Sequence, residues 1–189
     1  MSWISYTPFK DATGRLKASY EKYKRPNNTI ANIFSVHSLR PHTLEGHVAF
    51  YRSVIGHSGN TLPLWFLEAI GVYVSVLNNC AYCIDHHIHF GGVAYPESAD
   101  QWDDIAQSLK DVTPSAAFHG KQLAFMDYAE KLTSAPSSIT EEDIAALREA
   151  GADDGAILEV NQVAGYFAYA NRTVLGLGVS LAGETHEAS

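Results

Sequence analysis

The run from Leu62 to Leu77, LPLWFLEAIGVYVSVL, limits what this chain can fold into more than any other stretch. It is almost purely apolar and holds a single charge, Glu68. A helix that is apolar on every side belongs in a protein core or in a bilayer. A membrane span needs roughly 18 uncharged residues; this run is shorter and carries a carboxylate, so it predicts a buried central helix. Thr61 is placed to cap it, and Pro63 suits its first turn. Asn78-Asn79 then interrupts the pattern, and Asn79 is expected to cap a second helix beginning at Cys80.

That second helix holds both cysteines of the chain, Cys80 and Cys83, in a C-x-x-C pair, followed by His86, His87 and His89. At about 100° per residue, with Cys80 at zero, Cys83 falls at roughly −60° and His87 at roughly −20°. These three share one narrow face, whereas His86 lies outside the arc and His89 points to the opposite side. Cys83 and His87 are i, i+4 neighbours whose side chains can meet. The helix start adds free N–H groups and the positive end of the dipole, both of which favour a thiolate. Glu68, in its apolar run, is costly unless paired or protonated. Either it reaches solvent through a gap or forms a structural salt bridge with Arg172, or it orients His87 and accepts its proton.

Length and charge narrow the class. The 189 residues suit one domain, 1–189, with enough chain for a real core. A net charge of −8 leaves no basic face for phosphate contacts, which excludes nucleic acid as a partner. The N-terminus MSWISYTPFKD has no basic segment followed by an apolar one, so it does not read as a secretory signal. The chain is therefore expected in the cytoplasm, where thiols stay reduced and a C-x-x-C serves redox or metal chemistry.

Along the chain, residues 1–10 read as an extended arm, and helices are expected over Asp11–Lys24, Thr29–Leu39 and Pro41–Ile55. The Gly91-Gly92 pair is expected to weaken or end the cysteine helix. Further helices are expected over Ala99–Lys110, Ser115–Thr133, from Thr140 to Gly151, and from Asp153 to about Leu175, with residues 180–189 as a loose tail. No segment shows strand alternation, so the fold class is all-α.

Glu68, twelve residues to Cys80, C-A-Y-C, and then His87 together resemble the signature of AhpD-type alkylhydroperoxidases, within the carboxymuconolactone decarboxylase-like superfamily. The likeness extends outward. ANIFSVHSLRPHTLEGHVAFYRSV is similar to the helical lead-in of the peroxidase-related branch. TEEDIAALREAGADDGAILEVNQVAGYFAYANRTVLGLGV is similar to its tail. The resemblance covers roughly Ile33 to Val179 and implies an AhpD-like helical domain that forms trimers or hexamers. Two features differ: Trp65-Phe66-Leu67 is unusually apolar, and Tyr82 stands where the founding peroxidases can have a histidine.

These residues suggest a thiol-dependent peroxidase acting on organic hydroperoxides, with no metal, haem or flavin. Glu68 and His87 would remove the Cys83 proton, Cys83 would attack the peroxide, Cys80 would resolve the sulfenic acid to a disulfide, and an external dithiol would restore the pair. The two cysteines can also exchange roles, since the helix N-terminus activates Cys80. Three bland or rival readings stand beside this one: two thiols packed as small apolar groups, a zinc site needing a fourth ligand from elsewhere, and Tyr82 and Trp65 as core rather than pocket lining. Two other functions also remain open, a carboxymuconolactone decarboxylase-like acid–base enzyme and a non-enzymatic redox sensor or oligomeric binding protein. His37, His42, His47, His57, His86, His89, His119 and His186 read as structural, as do Asn171 and Arg172. The many aromatic residues on short helices point to subunit contacts, and a homo-oligomer is expected, with a hexamer favoured over a trimer or dimer.

Overall fold

The computed structural model describes residues 2–184. Among these residues there are nine α-helices and three short 3-10 turns, and no strand. The helices are α1 (Gly14–Tyr23), α2 (Asn32–Ser35), α3 (Pro41–Val54), α4 (Leu64–Leu77), α5 (Ala81–Ala94), α6 (Ala99–Lys110), α7 (Gly120–Ser134), α8 (Glu141–Glu149) and α9 (Asp154–Leu177).

The apolar run forms α4, and every residue from Phe66 to Ser75 is buried. This helix packs against α5, α6, α7 and α9, so those four are laid around it. Burying each large side chain here contributes about 1.5–3 kcal/mol, and Phe66, Leu67, Ile70 and Tyr73 are fully enclosed. Gly71 lets α9 come close: a Cβ there would run into the Phe167 ring. None of the helices among the described residues is long and apolar enough to cross a membrane.

Both helices start later than the sequence suggests, α4 by two residues and α5 by one. Pro63, not Thr61, is the N-cap of α4, and Cys80, not Asn79, is the N-cap of α5. Asn79 instead takes a left-handed backbone with φ 55°, a conformation asparagine tolerates better than most residues. The Cys80 amide then donates to the Ser75 carbonyl at 2.9 Å and closes the turn.

Helix α5 also runs straight through Gly91-Gly92 to Ala94, contrary to the expectation that the pair would weaken or end it. The cause is tertiary: the Trp102 ring of α6 lies where a Cβ on either glycine would be, and Trp102 Nε1 donates to the Ile88 carbonyl at 2.8 Å. Packing outweighs the entropic cost of about 1 kcal/mol per glycine.

Three other expected spans are broken. Phe9–Asp11 is a separate 3-10 turn before α1. The expected Thr29–Leu39 helix contracts to α2, because Pro41 keeps Arg40 out of the helical region and the intervening residues close by i→i+3 bonds. Ser115–Thr133 divides at an extended His119, which lets Phe118 turn into the core against Phe66. The Thr140 start is as expected, with a Thr140–Asp143 capping box.

Helix α9 ends at Gly178 in the left-handed region, φ 63°. Beyond it the expected loose tail is in part a docked strap. The Asn32 side-chain amide donates to the Ser180 and Ala182 carbonyls at 2.8 and 3.2 Å. Residues 185–189, His186 included, lie outside the described residues. At the other end, the arm is tied down by Trp3 N–H to the Leu177 carbonyl and Thr7 N–H to Ser38 Oγ.

Candidate active site

As the N-cap of α5, Cys80 faces the free amides of the first turn, and Cys83 follows at the third helical position. The two sulfurs are 2.8 Å apart, and both residues are almost sealed, at 0% and 3% exposure. The pair is electrostatically asymmetric. Hydrogen bonding from Cys83 lowers the Cys80 thiol against the opposing effect of burial, with help from the Cys83 amide and from Asn171. Sharing that hydrogen bond, together with burial, pushes the Cys83 thiol up. The asymmetry favours Cys80 over Cys83 as the first thiol to ionise.

One turn further along α5, His87 meets Glu68 of α4. His87 Nδ1 lies 2.6 Å from Glu68 Oε2, and the carboxylate is 2% exposed. A carboxylate only accepts, so the hydrogen of this bond is carried on Nδ1. The second carboxylate oxygen takes a longer bond, 3.5 Å, from the Tyr51 hydroxyl. Burial and the adjacent Glu68 hold Tyr51 as a neutral phenol by raising its pKa. The Phe167 ring stands edge-on to the imidazole with centroids 4.5 Å apart, fixing its plane.

The structure thus brings Glu68 and His87 together and places Cys80 and Cys83 in contact. Arg172 is exposed and bonds the Ala168 carbonyl rather than Glu68. Trp65 packs on Phe66 and Tyr95, whereas Tyr82 joins the apolar cluster around the thiols. Two groups that touch the site had no signal in local spacing. Tyr51 comes from α3. Asn171, read as structural, comes from α9, where it bonds Ser75 and Asn78 at 3.0 Å each and its side chain lowers both thiols. His86, also read as structural, is buried against a carboxylate, Glu184, at 2.7 Å.

A further buried group lies behind Tyr51. The Tyr166 hydroxyl is 3.3 Å from His47 Nε2, and His47 Nδ1 and His37 Nε2 are buried without protein partners. Burial, with His37 and His87 nearby, holds the His47 imidazole down to about 3.

No family model matches the chain, and no curated protein does. Solved structures do. An uncharacterized peroxidase-related protein of Ralstonia eutropha, described as an alkylhydroperoxidase AhpD core, superposes with a TM-score of 0.81 at 21% identity, over 95% of this chain and 91% of its own. A peroxidase-related protein of Silicibacter gives 0.79 at 23% identity, over 95% and 91%. The debrominase Bmp8 gives 0.74 at 14%, over 94% and 90%. Likeness across nearly the whole of each chain at such low identity is likeness of backbone, and the chain has the AhpD-type all-helical fold.

Proposed function

We propose that this chain is a thiol-dependent peroxidase that reduces organic hydroperoxides through Cys80 and Cys83. The observation that supports it is the contact between the two sulfurs, one helical turn from a buried carboxylate–imidazole pair. In this reading Cys80 is the resting thiolate and Cys83 holds the remaining proton. His87 Nε2, its other nitrogen fixed by Glu68, takes that proton as the Cys83 sulfur attacks the distal peroxide oxygen. The O–O bond breaks, the alkoxide collects the proton from His87 and leaves as alcohol, and Cys83 becomes a sulfenic acid. The Cys80 thiolate then displaces hydroxide from Cys83 sulfur, forming the disulfide and, after protonation, water. Two electrons pass from the dithiol to the peroxide. An external dithiol, protein or small molecule, restores the pair by exchange and is itself oxidised.

The asymmetry of the pair favours a second order of events, in which the Cys80 thiolate attacks first. Dimedone trapping decides between them. If Cys83 attacks, Cys80→Ser accumulates the sulfenic acid adduct and Cys83→Ser does not; the reverse pattern assigns attack to Cys80. The function itself is tested by cumene hydroperoxide consumption with dithiothreitol. Catalytic turnover that disappears in Cys83→Ser is the expected result. Stoichiometric oxidation without turnover would make the pair a sensor. The similarity to the debrominase suggests a control: a cysteine-to-alanine variant of Bmp8 has been solved in complex with 2,3,4-tribromopyrrole. Bromide release from that compound without peroxide turnover would replace the peroxidase reading.

A further inference from the structure

Close to Cys83, a second carboxylate is held by four donors that the proposed cycle does not use. Glu184 belongs to the strap that follows α9, and its side chain is 3% exposed. Its Oε1 accepts from the Asn32 amide, and from the Tyr82 hydroxyl at 2.9 Å. Its Oε2 lies 2.7 Å from His86 Nε2 and 3.2 Å from Arg25 Nη2. The donors are themselves fixed. Tyr82 accepts from the Ile33 amide at 3.2 Å, and its ring stacks on His86 with centroids 4.3 Å apart. His86 Nδ1 faces the Tyr82 carbonyl at 3.0 Å, so both ring nitrogens point at oxygen acceptors.

This cradle adjoins the thiols. Tyr82 directly precedes Cys83, and His86 follows Cys83 within one turn. The same strap lays Val179 and Leu181 beside Ile33 and Val36 over the two cysteines. The cover that seals the sulfurs and the carboxylate that anchors it are therefore one device. In a chain of net charge −8, Arg25 and His86 make a local site suited to one anionic group.

We propose that the Arg25–Tyr82–His86–Asn32 cradle is a carboxylate-binding site, occupied by Glu184 in the closed state, and that an organic acid with an apolar body takes the place of Glu184 and of Leu181 over the thiols. Burial alone would raise the Glu184 carboxyl, yet the bonds from His86, the Asn32 amide and Tyr82 hold it down at about 2, as a genuine anion site would. Exchange matters because the sealed pair meets peroxide and reductant only when the strap lifts, which it otherwise does by spontaneous opening. The tethered Glu184 competes as an intramolecular ligand at an effective concentration in the millimolar range, about what a free acid must exceed. Resting on the peroxidase reading, the same site makes hydroperoxides that bear a carboxylate the preferred substrate class.

The test is calorimetric titration of the full-length protein with sodium octanoate, and with 1-octanol as the uncharged control. Glu184→Gln is expected to bind octanoate about tenfold or more tighter than wild type, because its competitor is gone. Adding Arg25→Gln should abolish that gain, and octanol should bind all three proteins alike. Equal octanoate affinity in wild type and Glu184→Gln, or octanol matching octanoate, overturns the proposal. If Glu184→Gln does not fold, wild type alone decides: octanoate should release the strap and speed cleavage after Glu184 by a glutamate-specific protease, and octanol should not. An unchanged cleavage rate overturns it. Neither readout needs peroxide turnover, so failure of the peroxidase reading and failure of the carboxylate site are told apart.

Discussion

Glu68 sits among ten consecutive buried residues of α4, where an ionised carboxylate without partners costs several kcal/mol. Its oxygens take His87 and Tyr51, and removing either donor leaves a buried acceptor unpaired. Under the proposed relay, Glu68→Gln and His87→Ala should each slow peroxide turnover by roughly 100-fold with both thiols intact. The double variant should be little slower than the worse single, because the two act as a unit; folded single variants with wild-type rates would refute the relay. This pairing was legible because a lone charge in an apolar run needs a partner and His87 shares a helix face with the cysteines. Asn171 and Tyr51 were not, since nothing in local spacing ties α9 or α3 to the thiols. His47 supplies a test by pH. Its folded pKa is about 3 against an ordinary 6.5, so the unfolded chain takes a proton that the native protein refuses. Its contribution is complete above pH 6.5 and declines as pH falls toward 3, by on the order of a few kcal/mol. The groups around it are His37, His87 and Tyr166. Stability to urea between about pH 6.5 and pH 4 should fall less steeply for His47→Phe than for wild type, and equal slopes would contradict this.

At the scale of elements, sequence periodicity located the central pair of helices, α3, α6, and the Thr140 start, where apolar spacing and caps agree. It failed where a distant side chain decided the matter. Gly91-Gly92 reads locally as a helix end, yet Trp102 fills the space that two missing Cβ atoms leave. Glycine is ordinarily the worse helix residue by about 1 kcal/mol, so an isolated helix would gain from Gly91→Ala. Here the added methyl meets the indole ring and threatens its bond to the Ile88 carbonyl. Overpacking of this kind costs about 1–3 kcal/mol, so Gly91→Ala should lower the melting temperature. A rise would show that the indole moves aside freely. The strap after Gly178 was equally illegible, because its anchor, Glu184, finds its partners in α5, α2 and the segment before α2.

For the whole molecule, several large side chains remain exposed on α3 and α9, among them Phe50, Leu158, Tyr169 and Leu175, each at least 39% open. Covering them by copies of the same chain is the natural expectation for such a surface. Light scattering should give a multiple of 20.6 kDa, with six copies favoured, and a monomer mass at micromolar concentration would contradict it. In the proposed cycle, two sealed sulfurs act together as a two-electron donor. The most direct measurement is a titration of the reduced protein with cumene hydroperoxide, counting free thiols and alcohol formed, followed by intact mass under non-reducing conditions. One equivalent of peroxide should yield one of alcohol, remove both thiols, and lower the subunit mass by two hydrogens without linking subunits. Two thiols surviving excess peroxide, or subunits joined through Cys80 or Cys83, would contradict it.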